Sequence, residues 1–335
     1  MNNMEGRHLN NSKILRIENL SAVYLVREGS IKAAVDINMD MEEGSITAIV
    51  GESASGKSTI LEAMTRSLPP NGRIISGNVY YKKNGKYINL MEIKEEELRK
   101  LRWSEIALVP QAVQNALNPT IRVFDHFVDT VNDHGYNWKI KEIWDKAVHL
   151  LDMLGLDGNR VLKSFPHELS GGMKQRTLIS LSLLFDPKVL ILDEPTSALD
   201  VLTQARLIRV LDEVHDKLKI TMIFVTHDLP VAAELADYMG VVYGGNLVER
   251  GKTEDVIGNP KHPYTKALVS SLMLVVGNIE KIKPIPGEPP SLLNPPKGCV
   301  FHPRCPFRMD KCSKETPPLL KISESQYVRC WLYEK

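Results

Sequence analysis

Residues 51–59 read Gly51-Glu52-Ser53-Ala54-Ser55-Gly56-Lys57-Ser58-Thr59, which fits the pattern G-x-x-x-x-G-K-[ST]. The setting turns the pattern into a site. Ahead of it runs Ser45-Ile46-Thr47-Ala48-Ile49-Val50, an apolar, β-branched stretch suited to a buried strand, and residues 58–67 behind it read as a helix. A glycine-rich turn between strand and helix is a phosphate cradle: backbone N–H groups face the phosphates and the helix N-terminus adds a favourable dipole. Gly51, Ser53, Ser55, Gly56 and Thr59 are expected to line it, with Lys57 reaching the β and γ oxygens and the Ser58 hydroxyl ligating Mg²⁺. A tight turn that binds nothing is the bland alternative, and the flanking strand and helix argue against it.

Working outward, residues 14–50 alternate apolar runs with turns at Glu28-Gly29 and Glu42-Glu43-Gly44, and residues 72–90 read as a strand pair around Asn84-Gly85. From about 92 to 168 the character becomes charged and helical, with segments at 92–101 and 139–154, an inserted and mainly helical subdomain. Sheet signals return at 189–192 and 221–225, each after a helical pattern, which is the rhythm of a parallel sheet covered by helices. A further pair of short strands fits 239–243 and 246–250. Beyond about Pro260, prolines at 284, 286, 289, 290, 295, 296, 303 and 306 leave little room for regular elements. The expected organisation is an α/β nucleotide-binding domain over 13–258, a mostly parallel sheet with an antiparallel β part, followed by a loop-rich C-terminal extension over 259–335. No internal repeat is visible, so the nucleotide unit occurs once.

Composition narrows the partners. Lys and Arg total 42 against 41 for Asp and Glu, so no positive field gathers a polyanion, and no nucleic-acid partner is expected. The first twenty residues lack the apolar core of a secretory signal, which predicts a protein that stays inside the cell. The apolar stretches at 178–185 and around 267–276 fall short of the roughly 20 residues that cross a bilayer, so any service to a membrane would run through a partner.

Val189-Leu190-Ile191-Leu192 is an apolar run ending in Asp193 and Glu194, two carboxylates at the sheet edge where open α/β sheets bind ligands. Asp193 would hold the Mg²⁺ shell and Glu194 would take a proton from the attacking water. Taken alone, a strand ending in a solvated acidic turn explains the pair equally well. Leu169-Ser170-Gly171-Gly172-Met173-Lys174-Gln175-Arg176, shortly before, removes that ambiguity, because here the sequence resembles the ABC ATPase family. The resemblance implies that Ser170, Gly171 and Gly172 form the signature motif, whose amides bind the γ-phosphate of ATP held by the opposite subunit. Without it, Ser-Gly-Gly would be read as a helix cap.

Further positions follow in the family's order. The resemblance implies that Tyr24 stacks on adenine, that Gln111 in Val109-Pro110-Gln111 touches Mg²⁺ and the water, and that His227 contacts the γ-phosphate. It also implies that Ser197-Ala198-Leu199-Asp200 crosses the dimer interface. Singly, Tyr24 would be a core tyrosine and His227 a structural hydrogen-bonder. Ala54 stands where relatives often have glycine, at a position the motif leaves free. The 112 residues between Gly56 and Leu169 leave no room for the long coiled coil of chromosome-associated relatives.

In the C-terminal part, His262-Pro263-Tyr264-Thr265, residues 285–290 and Gly298-Cys299-Val300-Phe301-His302-Pro303-Arg304-Cys305-Pro306 resemble the ATP-binding subunits of oligopeptide and dipeptide importers. That resemblance implies ATP hydrolysis driving peptide uptake at the cytoplasmic face of the membrane. It also implies three kinds of partner: a second and unlike ATPase subunit, two integral membrane permeases and an extracytoplasmic substrate-binding protein. Oligosaccharide or nickel import, or a non-transport ABC ATPase, are the alternatives.

All four cysteines, Cys299, Cys305, Cys312 and Cys330, lie in the last 37 residues with spacing C-x₅-C-x₆-C-x₁₇-C. Disulfides need an oxidising compartment. Zinc sites usually show closer pairs, though His302 could replace one ligand. Four widely spaced thiolates suit a [4Fe–4S] cluster, toward which the family resemblance tilts the reading, with Zn²⁺ or unliganded buried thiols left open.

Overall fold

The computed structural model describes residues 12–111, 116–197, 199–273, 285 and 287–334. The chain forms two compact units, Met1–Ile93 with Val225–Lys335, and Lys94–Phe224.

The first unit opens with β1 (Lys13–Val26) and β2 (Gly29–Glu42), a long antiparallel pair in the register Leu15↔Met41 and Ile17↔Met39. After β3 (Ile46–Val50) and α1 (Lys57–Met64) come β4 (Gly72–Lys83) and β5 (Lys86–Asn89). Asn84 (φ 50°) and Gly85 (φ 79°) both take the left-handed turn that suits a two-residue hairpin, as the Asn-Gly pair predicted. These strands form a four-stranded sheet in the order β2-β1-β4-β5. All five residues of β3 are buried, four of them apolar and the fifth the β-branched Thr47.

The second unit holds α2 (Glu95–Leu101), β6 (Ile106–Val109), α3 (Val123–Asp133), α4 (Ile140–Met153), α5 (Gly158–Lys163), α6 (Gly171–Ser182), β7 (Val189–Asp193) and α7 (Val201–Leu218). In α4 the buried residues are Ile143, Ala147, Leu150 and Leu151, one face at helical spacing. The mainly helical reading of 92–168 needs one correction. Ile106–Val109 is a strand, paired in parallel with β7 in the register Val109↔Leu192.

Strand β8 (Thr221–Thr226), buried throughout, carries the chain from the second unit back to the first. There follow α8 (Leu229–Leu235), β9 (Tyr238–Tyr243), β10 (Asn246–Lys252), α9 (Thr253–Gly258), α10 (Pro263–Met273), β11 (Leu320–Lys321) and β12 (Tyr327–Val328). Strand β9 lies parallel to β3, with Val50 opposite Val241, and pairs antiparallel with β10 across Gly244-Gly245. The loop-rich reading of the C-terminal part also needs correction. Pro263 opens α10, a position where a missing N–H costs nothing, and β12 joins the edge of β10 with Val328 opposite Glu249. Residues 274–276 of the apolar run around 267–276, and Ala198 of the interface loop, lie outside the described residues. Among the described residues no helix is long and apolar enough to cross a membrane.

Candidate functional site

In the first unit the loop after β3 is shaped by what its glycines lack. A Cβ on Gly51 would collide with the Val242 carbonyl, and one on Gly56 (φ 101°) with the Ala33 carbonyl. The loop closes with Ser55 N–H donating to Glu52 O at 3.2 Å, and Gly245 N–H donating to Ser55 O at 2.8 Å. Lys57 is 4% exposed, and its ammonium donates to Gly51 O at 3.0 Å and Glu52 O at 2.8 Å. Ser55 Oγ is buried with no hydrogen-bond partner, a polar atom left inside the loop. Ser53 and Ala54 are exposed on its outer bend, Ala54 with φ 60°, and Ser58 is half-buried on the first turn of α1. The Tyr24 hydroxyl is 3.1 Å from Thr59 Oγ1 and donates to Glu62 Oε2 at 2.8 Å, so the half-buried ring on β1 is fixed against α1. His227 is exposed just past β8, next to Asp228, whose carboxylate accepts from Val231 N–H and caps α8.

In the second unit the parallel register sets the geometry. Gln111 stands two residues past Val109 and Glu194 two past Leu192, so both leave their strands at one level, and Gln111 Nε2 donates to Glu194 Oε2 at 3.2 Å. Asp193, 8% exposed, ends β7, and Glu194 takes a left-handed backbone (φ 46°) with Ser197 N–H on its carbonyl. Ser170 caps α6: its hydroxyl accepts from Met173 N–H at 3.3 Å, and Gly171 and Gly172 form the first turn. A Cβ on Gly172 would lie 2.5 Å from Thr203 Cγ2, so this glycine lets α7 approach α6. Asp200 caps α7, accepting from Leu202 N–H, Thr203 N–H and, at 2.6 Å, the Thr203 hydroxyl. That hydroxyl first, then the Thr203 and Leu202 amides, hold its carboxyl below the usual range.

The four cysteines lie in the first unit, and none is paired in a disulfide. Cys299 N–H donates to Cys312 O at 2.8 Å, joining two of their segments, and each of the four sulfurs faces a backbone N–H: Phe301 at Cys299, Phe307 at Cys305, Met309 at Cys312 and Leu332 at Cys330. Burial pushes the Cys299 thiol up to about 12 and the Cys330 thiol up to about 11, with the charges of neighbouring thiols adding to both. Among the described residues no group of three or more His, Cys, Asp or Glu side chains is arranged to hold a metal ion. His302 Nδ1 lies 2.9 Å from the Cys299 carbonyl rather than joining the sulfurs.

One set of residues escaped the sequence reading. Glu52 N–H donates to the Tyr264 hydroxyl at 3.0 Å, and the Arg304 guanidinium reaches the Glu52 carboxylate at 3.3 and 3.4 Å and the Tyr243 hydroxyl at 3.2 Å. Tyr264 and Arg304 fall in segments already notable for their resemblance, but nothing local to them points to residue 52.

A buried strand, a glycine-rich loop and a helix carrying a buried lysine define a P-loop nucleotide-binding protein. The ABC transporter family model matches residues 34–197, and the model for the oligopeptide/dipeptide transporter C-terminal region matches residues 248–312. The dipeptide transport ATP-binding protein of Caldanaerobacter subterraneus subsp. tengcongensis is 60% identical over 324 residues, covering 97% of this chain and 98% of that protein. The oligopeptide transport ATP-binding protein of Bacillus subtilis is 36% identical, covering 96% and 89%. Among solved structures, a dimeric ATP-binding cassette in a post-hydrolysis state with ADP and Pi aligns with a TM-score of 0.62 and 26% identity, over 71% of this chain and 98% of that chain. The chain belongs to the ATP-binding proteins of the ABC transporter family, in its oligopeptide/dipeptide branch, and is an ATPase.

Proposed function

We propose that this ATPase energises the import of dipeptides or oligopeptides, working at the cytoplasmic face of a membrane with two permease subunits, a substrate-binding protein and a second, unlike ATPase subunit. The observation that carries the reading is the match to a dipeptide transport protein across 97% of the chain, C-terminal part included. Import of oligosaccharides or nickel, and a non-transport role, are not favoured. Hydrolysis by the assembled transporter in liposomes should rise with peptide-loaded binding protein. A response to a sugar or to nickel, and not to peptide, would overturn the substrate assignment.

The chemistry follows from the residues. The Lys57 ammonium would exchange the Gly51 and Glu52 carbonyls for β and γ phosphate oxygens, and the loop amides and the orphaned Ser55 hydroxyl would take the rest of the phosphate charge. Tyr24 would stack on adenine. Ser58 and Gln111, with Asp193, would hold Mg²⁺, which supplies neutralising charge to the phosphates. Glu194, hydrogen-bonded by Gln111, would accept the proton of the attacking water as its oxygen bonds to the γ phosphorus and the bond to the bridging oxygen breaks. His227 would contact the γ-phosphate, while Ser170, Gly171, Gly172 and Asp200 would face the nucleotide of the partner ATPase.

The cysteine module suits a [4Fe–4S] cluster. Backbone N–H groups at all four sulfurs favour thiolates, the form in which cysteine ligates iron. Anaerobically purified protein should absorb broadly near about 400 nm with about four irons per chain. One zinc per chain, or a colourless metal-free protein made with iron supplied, would rule the cluster out.

A further inference from the structure

We propose that the C-terminal cysteine module holds the phosphate loop in its binding shape through Arg304, a positioning residue that acts on nucleotide by way of Glu52. The proposal rests on reading residues 51–59 as the nucleotide cradle.

Glu52 is the pivot of that loop. Its carbonyl accepts both Lys57 Nζ and Ser55 N–H, so its backbone fixes the lysine and the turn together. The N–H and the carboxylate of Glu52 are held from outside the loop. Its N–H is taken by the Tyr264 hydroxyl and its carboxylate by Arg304, both from the C-terminal part of the chain. These anchors are rigid. Tyr264 is fully buried and Phe301 and Tyr243 are 1% exposed, with ring centroids 4.5 to 5.6 Å apart, and Arg304 is 9% exposed between Tyr243 and the loop. A fully buried tyrosine spends its hydroxyl where a partner needs it, and here the partner is a phosphate-loop amide.

Arg304 directly precedes Cys305, and Phe301 lies two residues after Cys299, so the segment that orders the sulfurs also aims the guanidinium. The same part of the chain touches the loop's outer bend a second time. A cleft of about 330 Å³ has Glu52, Ser53, Ala54 and Ser55 on one wall and residues 289–293 on the other, and Leu292 O accepts Lys32 N–H at 2.9 Å beside it. Disorder in the cysteine module would therefore release the Glu52 carboxylate and loosen the turn that Glu52 O closes with Ser55 N–H. The module is an input to nucleotide affinity.

The test is calorimetric titration of the full-length chain, purified anaerobically, with MgADP, and the ATP dependence of hydrolysis. Arg304→Gln and Glu52→Gln should each weaken binding by about fivefold, the order expected of one partly exposed charge-assisted contact. The double variant should be no weaker than either single, the exchanged pair Glu52→Arg with Arg304→Glu should recover part of the loss, and in Arg304→Gln the ATP concentration for half-maximal hydrolysis should rise with kcat unchanged. Cys305→Ser should weaken binding to the same extent and add nothing to Arg304→Gln. Lys57→Ala is the control on the cradle itself: parental binding there would overturn the cradle reading, whereas loss there with parental binding in Arg304→Gln would overturn this proposal alone. Additive losses in the double variant would also overturn it, since they would mean that Arg304 and Glu52 act separately.

Discussion

Glu194 holds a left-handed backbone that costs an L-residue roughly 1–2 kcal/mol, and the Gln111 amide rests on its carboxylate. Strain kept at such a residue is a mark of function. Glu194→Gln keeps the size of the side chain and removes the proton acceptor, so hydrolysis should fall by about 10²–10⁴-fold while nucleotide still binds. Single-turnover hydrolysis beside a nucleotide titration checks this, and parental turnover would take Glu194 out of the chemistry. Ala54 also sits left-handed. Ala54→Gly removes that strain but frees the unfolded chain by about 0.5–1 kcal/mol, so the urea midpoint should shift by less than about 1 kcal/mol of stability. At this scale the loop was legible because its chemistry lies in nine consecutive residues. Spacing carried none of the contacts that complete it: Gln111 and Glu194, 83 positions apart, were brought to one water only by the family resemblance, and Arg304 with Glu52, 252 apart, were not read at all.

Among the elements, α6 and α7 meet at a glycine. Gly172→Ala would drive a Cβ into Thr203 and should destabilise the fold by about 1–3 kcal/mol, read from chemical denaturation. Thr203→Ser, which deletes the crowded methyl and keeps the hydroxyl that Asp200 accepts, should restore most of it. At the start of α10, burial drives His262 down to about 3, so the ring is neutral in the fold and accepts from Tyr264 N–H. The unfolded chain binds that proton below about 6.5, so stability should fall by up to about 1.4 kcal/mol for each pH unit from there toward 3. Glu249, raised by burial while its carboxylate accepts the Lys261 and His262 amides, works in the opposite sense on acidification. His262→Gln should flatten the His262 part of the slope in urea midpoints taken across that range. Strand β6 was missed because four apolar residues in a charged context read equally as helix or strand. Helix α10 was missed because the density of prolines beyond it was extended back to Pro263, a proline that begins a helix rather than breaking one.

For the molecule as a whole, the C-terminal part is woven into the first unit. Strand β12 pairs with β10, Arg250 lies over the Tyr327 ring at 4.1 Å, and Arg329, 5% exposed, reaches Asp36 at 2.8 Å. Removing residues 316–335 uncovers the edge of β10 and should lower the thermal midpoint by more than the roughly 1–2 °C that about 1 kcal/mol is worth in a chain of this size. An unchanged midpoint in calorimetry would make the tail an appendage after all.

The interleaving of the two units also orders the protein's birth. Lys94–Phe224 is one continuous run, so all of its residues are present once it has been translated, whereas the other unit waits for its second half, with β9 reaching its neighbour β3 only after nearly two hundred intervening residues. Until then β3, whose five residues are all buried in the fold, lacks its partner β9, and its unpaired backbone groups are open to pairing with other chains.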